Sequence, residues 1–532
     1  MTSDVFDYVV IGAGSAGCAA AGRLSESGRN SVLLLEAGGR DDNIWIHIPV
    51  GYGKTFNNEK LTWRFSTEPS PGINGRAMFT PSGRVLGGSS SINGMVYVRG
   101  TQEDFDNWRQ DGNAGWGYQD VLPFFRKSEN QENGADAYHG AGGPLNVSNL
   151  RAKNPLCNAF VDSAVAAGFP ASSDFNSASQ EGVGFFQMTA RNGRRTSSAA
   201  AFLKAARGRP NLSVTTNAHA DRLMIENGRV TGVTYALGDK LLTALARHAV
   251  ILSAGAVNSP ALLQRSGIGR GEWLREAGID VRHELKGVGS NLHDHLQSRI
   301  VLHSRRHPTL NTQSRNPIMM LQLGLQYALF RSGQMTTCGA QSGGFVRSRR
   351  ELDRPDVMVM YMPFSSMDYR KGLDRFRGFS ISSMLLRPES RGTVRVRSAN
   401  RHDAPVIQPN YLTAGYDHET LVAGLRLARK IAATDPLRSE IDREERPGPD
   451  VNSDDELLHY VRQTAGTVYH PVGTCKMGQS ADAVVDEKLR LRGLEGLVVA
   501  DASIMPSIVS APTNATSIMI GERAAGFLSE AG

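Results

Sequence analysis

"FDYVVIGAGSAGCAAAGRLSESGRNSVLLLEAGG", residues Phe6–Gly39, reads as strand, glycine turn, helix and second strand. Tyr8–Ile11 is rich in β-formers, and Ala19–Leu24 continues as a good helix former. Between them, GAGSAG sets Gly12, Gly14 and Gly17 in GxGxxG spacing around Ser15 and Ala16. Gly12 permits the tight turn, Gly14 lets backbone approach a pyrophosphate, and Gly17 lets helix pack on strand. The helix start then offers unpaired N–H groups and a positive dipole to phosphate. Glu36 closes the second strand 24 residues beyond Gly12, where a carboxylate accepts from ribose hydroxyls. The complete unit predicts an α/β nucleotide-binding domain. It admits FAD or NAD, and the carboxylate disfavours NADP, whose 2′-phosphate it would repel.

Further along, "HAVILSAGAVNSPALL" (His248–Leu263) and "LEGLVVADASIMP" (Leu494–Pro506) read as returning strands of the same domain. "SGRVLGGSSSINGMVYVRG" (Ser82–Gly100) is a second glycine–serine loop, flanked by apolar residues and so read as ordered. "TVYHPVGTCKMG" (Thr467–Gly478) carries His470. Read locally, His470 is a core histidine, a metal ligand or a base. "NLHDHL" (Asn291–Leu296) offers His293, Asp294 and His295 as metal partners, but adjacent residues on an extended chain point apart, so no metal is expected.

The 532 residues exceed one small core, which predicts two domains. Apolar content of 40% and charged content of 21% fit an ordinary globular enzyme. The net charge of +7 is dispersed and lacks any zinc-finger, basic-helix or aromatic RNA motif, so nucleic acid is excluded as partner. Such a surface attracts anionic ligands or lipid head groups. Cys18, Cys157, Cys338 and Cys475 show no CxxC spacing, and a reducing cytoplasm is the expected setting. The first apolar run enters a glycine loop and reads as a strand, not a leader. No uncharged apolar run reaches 18 residues, so no transmembrane helix is expected. "NPIMMLQLGLQYALF" (Asn316–Phe330) is expected to be a packed helix, with contact at the inner membrane face as the second reading.

Taken together, the chain resembles the glucose–methanol–choline oxidoreductases, a family of FAD-dependent alcohol oxidases and dehydrogenases. The likeness rests on the nucleotide motif, "GRVLGGSSSINGMVY", "GAVNSPALLQRSGIG" and the pair "YHPVGTCKMG" with "VVADASIMPSIVSAPTNATSIMIGERAA". It implies a discontinuous Rossmann-type FAD domain (1–149, 197–299 and 450–532). It also implies a substrate domain (150–196 and 300–449) built on an antiparallel sheet with helices on its far face. Carried over, Arg84, Gly87 and Gly88 follow the flavin and pyrophosphate, and Asn93, Gly94, Met95 and Val96 line the isoalloxazine. Ala220 holds the adenine edge. Ala37 and Ala254 extend the cradle, Asp501 and Ala502 meet the ribityl and pyrophosphate, and Asn514 and Thr516 meet the pyrimidine end. Some members attach FAD through a histidine in the glycine–serine loop. Ile92 stands there, so non-covalent FAD is expected.

The resemblance makes His470 and Asn514 the catalytic pair. A neutral imidazole can take a hydroxyl proton while the alcohol carbon loses hydride, and an amide can aim the hydroxyl. Choline-oxidising relatives place a glutamate near a "GGF"-like stretch. Here the position is read as Gln341, which cannot balance a quaternary cation and implies an uncharged primary alcohol. "MVMYMPFSSM" (Met358–Met367) is either an adaptable pocket wall or strand core. The acceptor is expected to be a quinone. Oxygen, choline as substrate, and a hydroxynitrile lyase that uses FAD without net redox are the alternatives.

Overall fold

The computed structural model describes residues 4–530. Residues 1–3 and 531–532 of the expected first domain lie outside the described residues. Strand β1 (Asp4–Ile11), helix α1 (Ser15–Leu24) and strand β2 (Val32–Leu35) form the unit expected from the opening stretch. The chain returns much later through β3 (Leu212–Thr215), β4 (Ala218–Glu226), β5 (Arg229–Leu237), β6 (Lys240–Leu252) and helix α2 (Gly255–Arg265).

A second unit follows. It uses β7 (Leu296–Ser304), helix α3 (Pro317–Phe330), β8 (Ser342–Val346), β9 (Val357–Met362) and β10 (Gly378–Leu385). Helix α4 (Gly415–Ala432), β11 (Ile441–Arg446) and β12 (Gly466–Thr467) complete it. The chain then goes back to the first unit with β13 (Leu497–Val499) and helix α5 (Asn514–Glu530).

The first sheet has the order β3-β2-β1-β6-β5-β4, with β13 also paired to β6. Its β3-β2-β1-β6 core and the β6–β13 pair are parallel, and β5 and β4 run antiparallel at one side. Val9, Val10, Val32, Leu34, Val250 and Ile251 are wholly buried. Such unbroken apolar runs belong to strands covered on both faces. Helices α1 and α5 cross so closely that a Cβ on Gly521 would lie 2.2 Å from the Ala16 carbonyl oxygen.

The second sheet is antiparallel, in the order β8-β9-β10-β7-β11, with β12 paired to β7. Its strands run from Leu296 to Thr467, a wider span than 300–449. All of β9 is buried, yet its two faces differ. Val357, Val359 and Tyr361 pack in one core with Leu421, Leu425 and Ala428 of α4, whereas Met358 and Met360 face the other way. The alternation is the period of two of an extended strand.

Helix α3 departs from expectation. Asn316 caps it by accepting from the N–H groups of Ile318 and Met319, both at 3.1 Å, and Pro317 opens it. Arg331 ends it in the left-handed conformation, φ 49°. The helix is not packed inside: among its residues only Tyr327 is buried.

Candidate functional site

A cavity of about 770 Å³ runs from the β1–α1 turn to the second sheet. Gly12, at φ +100°, makes the turn, and a Cβ there would lie 2.5 Å from the Ser253 carbonyl oxygen. Helix α1 starts at Gly14 with no side-chain cap, so its first N–H groups open on the cavity beside Ser15 and Ala16. The glycine–serine loop folds onto this turn. Gly87 donates its N–H to the Ala13 carbonyl at 2.8 Å. A Cβ on Gly88 would lie 2.7 Å from Gly14 Cα.

Glu36 ends β2 and lines the cavity, and its carboxylate accepts from the N–H groups of Ala13 and Gly38 at 2.9 and 2.8 Å. Burial, partly offset by those two bonds, raises its pKa to about 7. Asp501 accepts from the Gly255 N–H and the Ser259 hydroxyl at 2.8 and 2.5 Å, tying β13 to the start of α2. An uncapped helix end, a glycine cradle and a strand-end carboxylate on one cavity wall are the donor set a dinucleotide needs. The residues present therefore fit FAD.

Most of the expected binding residues line this cavity: Gly12, Gly14, Ser15, Ala16, Glu36 and Ala37 at the turn. Gly88, Asn93, Gly94, Met95, Val96 and Ala220 line it further on, and Ala254, Asp501, Ala502 and Asn514 close the wall. Ile92 lines it too. Four expected positions stand behind the lining. A Cβ on Gly17 would lie 1.9 Å from the Gly12 carbonyl oxygen, so this glycine serves helix packing. Gly87 makes the loop contact just given. Arg84 lies over Trp63, 4.7 Å from the ring centroid, and Trp63 forms the wall. Thr516 is wholly buried and donates its hydroxyl to the Arg99 carbonyl at 3.0 Å. The phase of α5 instead presents Thr513, Asn514 and Ser517 to the cavity.

His470 lines the same cavity. The short strand β12 brings the chain beside β7, and Tyr469 then turns at φ +66°, a costly conformation for a bulky residue. Asp294 holds the turn. Its carboxylate accepts from Thr467 Oγ1 at 2.5 Å, Tyr411 Oη at 2.6 Å and the His470 N–H at 2.7 Å. His293 points elsewhere, to the Asn291 carbonyl at 2.7 Å, so the three residues of "HDH" diverge as expected. Among the described residues, no cluster of three His, Cys, Asp or Glu side chains could hold a metal.

His295 meets His470 directly, Nδ1 to Nδ1, at 3.0 Å. The other nitrogen of His295, Nε2, lies 2.9 Å from the Leu386 carbonyl. A carbonyl only accepts, so His295 Nε2 carries the proton. Burial pushes the His295 pKa down to about 4, so its Nδ1 is a bare acceptor. Hydrogen-bond logic then assigns a proton to His470 Nδ1 and leaves its Nε2 with a free lone pair. Burial first, and His295 second, hold the His470 pKa well below the usual range. Asn514 lines the same cavity, and its Oδ1 accepts from Ser15 Oγ at 2.7 Å, which leaves its NH₂ free to donate.

The substrate side corrects one expectation. Gln341 is wholly buried outside the cavity, and its Oε1 accepts from the Asn154 N–H and the Cys157 thiol, both at 2.8 Å. Three glutamines line the cavity, Gln297, Gln313 and Gln334; Gln297, on β7, stands two residues beyond His295 and so projects to the same side of the extended chain. Ser382 donates to its Oε1 at 2.5 Å. Met358, Met360, Met362, Met384 and Phe364 surround this end. Among the described residues, the only carboxylates on the lining are Glu36 and Asp501, at the nucleotide end. All four cysteines are buried free thiols, and none lines the cavity.

A glycine cradle joined across one cavity to a buried imidazole defines a flavin-type oxidoreductase. The family model described as GMC oxidoreductase matches residues 6–297 and 388–521, and the chain belongs to that family. It is therefore an FAD-binding oxidoreductase. The chain is 43% identical to alcohol dehydrogenase [acceptor] of Pseudomonas putida, over 98% of this chain and 96% of that protein. It is 42% identical to oxygen-dependent choline dehydrogenase of Brucella melitensis, over 98% and 95%. Pyridoxine 4-oxidase from Mesorbium loti is similar in structure, with TM-score 0.89, 33% identity and 99% coverage of both chains.

Proposed function

We propose that the chain oxidises an uncharged primary alcohol to the aldehyde, with His470 as base and Asn514 as the group that aims the hydroxyl. The observation that carries this reading is the His295–His470 pair, which leaves His470 Nε2 bare at the cavity wall. Bound FAD would supply the two-electron sink for the hydride that the alcohol carbon loses. His470 Nε2 takes the hydroxyl proton, and the resulting imidazolium stabilises negative charge on the substrate oxygen. The Asn514 amide donates to that oxygen as well. Asp294 is a positioning residue, because it fixes the backbone from which the imidazole projects.

Substrate choice rests on Gln297 and the methionines. A neutral amide and apolar walls leave a quaternary ammonium without a counter-charge. Thioether side chains adapt to varied apolar chains. FAD is held without a covalent bond, since the Ile92 side chain has no nucleophile. The acceptor is a quinone-type molecule.

The test is anaerobic mixing of the holoenzyme with a medium-chain or aromatic primary alcohol, or with choline, while the flavin absorbance is followed. Bleaching by the uncharged alcohol at far lower concentration than by choline is the expected result. Preference for choline, or cyanohydrin cleavage without bleaching by any alcohol, would overturn the reading. Free flavin released by acid precipitation tests the non-covalent attachment.

A further inference from the structure

Helix α3 carries no charged side chain from Pro317 to Phe330. Its inward face is Met320, Leu323 and Tyr327. Met320 and Leu323 line the cavity, and Tyr327 packs with Ile48 and Met335. The opposite face repeats at i, i+3, i+7 and i+11: Ile318 is 69% exposed, Leu321 63%, Leu325 51% and Leu329 70%. Of the thirteen large hydrophobic side chains exposed among the described residues, six belong to this helix. Gln322 and Gln326 form a narrow uncharged polar flank beside this stripe, and an exposed apolar stripe of this length calls for an apolar partner. At about 1.5 Å per residue its 14 residues span roughly 21 Å, too short to cross a bilayer but suited to lying along one.

The surroundings select the occupant. Ser314, Met320 and Gly372 are at once exposed and on the cavity lining, so the cavity opens beside α3. The loop 366–377 forms the facing rim, and Arg315 ties it to the helix start by donating to the Leu373 carbonyl at 2.9 Å. Met367 on this rim is 64% exposed. The two acids of the loop are already committed, Asp368 to Arg370 at 2.9 Å and Asp374 to Arg446. Lys371, Arg375 and Arg377 are left exposed without an acidic partner among the described residues, and Arg331 stands likewise at the far end of the helix. An apolar stripe bracketed by unneutralised cations matches anionic head groups above acyl chains. A second copy of this chain would set those cations against each other.

We propose that the outer face of α3 and the 366–377 rim dock on an anionic lipid bilayer, with the cavity mouth turned toward the acyl chains. This deepens the reading of an apolar alcohol and a quinone-type acceptor, both of which partition into lipid. It rests on that reading only for what enters the mouth. Lipid binding is measured separately from turnover.

The test is co-sedimentation of the holoenzyme with vesicles of phosphatidylcholine and phosphatidylglycerol, and with phosphatidylcholine alone. A double variant, Leu321→Glu with Leu325→Glu, is run in parallel. Wild type is expected to pellet with the anionic vesicles, at least about tenfold more than the double variant, and high salt is expected to release it. The double variant should keep full activity with a water-soluble alcohol and a soluble dye, which shows that it folds. Wild type remaining in the supernatant, or equal pelleting of the variant or on neutral vesicles, overturns the proposal. So does a dimer that the double variant dissociates, since the stripe would then meet a second copy.

Discussion

The two ends of the cavity are built by different means. The nucleotide end is made of backbone: Gly12, Gly14 and Gly88 bring main chain together, and carboxylates organise N–H groups. The alcohol end is made of side chains: methionines, Gln297 and two imidazoles in contact. Backbone geometry tolerates almost no substitution at Gly12 and Gly88, where a Cβ would lie 2.5 and 2.7 Å from main chain, whereas a wall of flexible side chains can be recut without disturbing the fold. One end is therefore shaped for a resident cofactor, and the other for what passes through.

Changes at the imidazole pair should break this contrast most strongly. His470→Ala is expected to lower the rate of flavin reduction by about 10²–10⁴-fold, with flavin content unchanged by absorbance. Loss of flavin instead would place His470 in the cofactor cradle. Next in size comes His295→Ala, which removes the acceptor that holds the proton on His470 Nδ1. A loss of roughly 10–100-fold in kcat with little change in KM is expected. His295→Gln should recover most of it, because an amide can accept from His470 and donate to Leu386. Failure of that rescue would reduce His295 to a packing role.

Gln297→Glu sharpens the contrast by changing only the alcohol end. Relative kcat/KM for choline over an uncharged alcohol should rise about tenfold, ~1.4 kcal/mol. No shift would move the substrate's head group elsewhere. The pH profile gives a further test. A histidine base must be neutral, and the His470 pKa is held low, so on the proposed reading activity is present above that pKa and lost as pH falls through it. The plateau of kcat/KM should thus persist to pH values well below 6.5, and an inflection at the ordinary histidine value would contradict the buried pair. The smallest effect is expected from Tyr411→Phe, which deletes one of three donors to Asp294. Stability in urea should fall by about 1 kcal/mol with activity nearly intact.

The same contrast explains what could be read from the chain before folding. The unit from Tyr8 to Glu36 is local, and each glycine has one geometric task, so nearly all of it was legible. Gln341 stands beside the GGF stretch, but its side chain turns into the core to meet Asn154 and Cys157, a contact 184 or more residues away that local sequence does not reveal. Counting instead from His295 along an extended strand leads to Gln297 on the same face. Thr516 gave way to Ser517 because the start of α5 sets the phase of the helix, and one residue rotates it by about 100°. The methionine stretch seemed to demand a choice between pocket and core. Alternation let β9 be both. For α3, apolar residues occupy both the inner and the outer face, and the two glutamines lie on a flank between them, so the sequence pattern does not tell inside from outside.

Ser15 and Asn514 share a hydrogen bond at the heart of the cradle, although 499 residues separate them. While a ribosome is still making the middle of the chain, the opening glycine turn has neither β13 beside its sheet nor α5 across its helix. At about 5–20 residues per second, that interval lasts roughly half a minute to two minutes. Vitamin loading consequently belongs to the finished polypeptide, and newly emerged N-terminal segments must wait, uncofactored, for their distant partner to be translated.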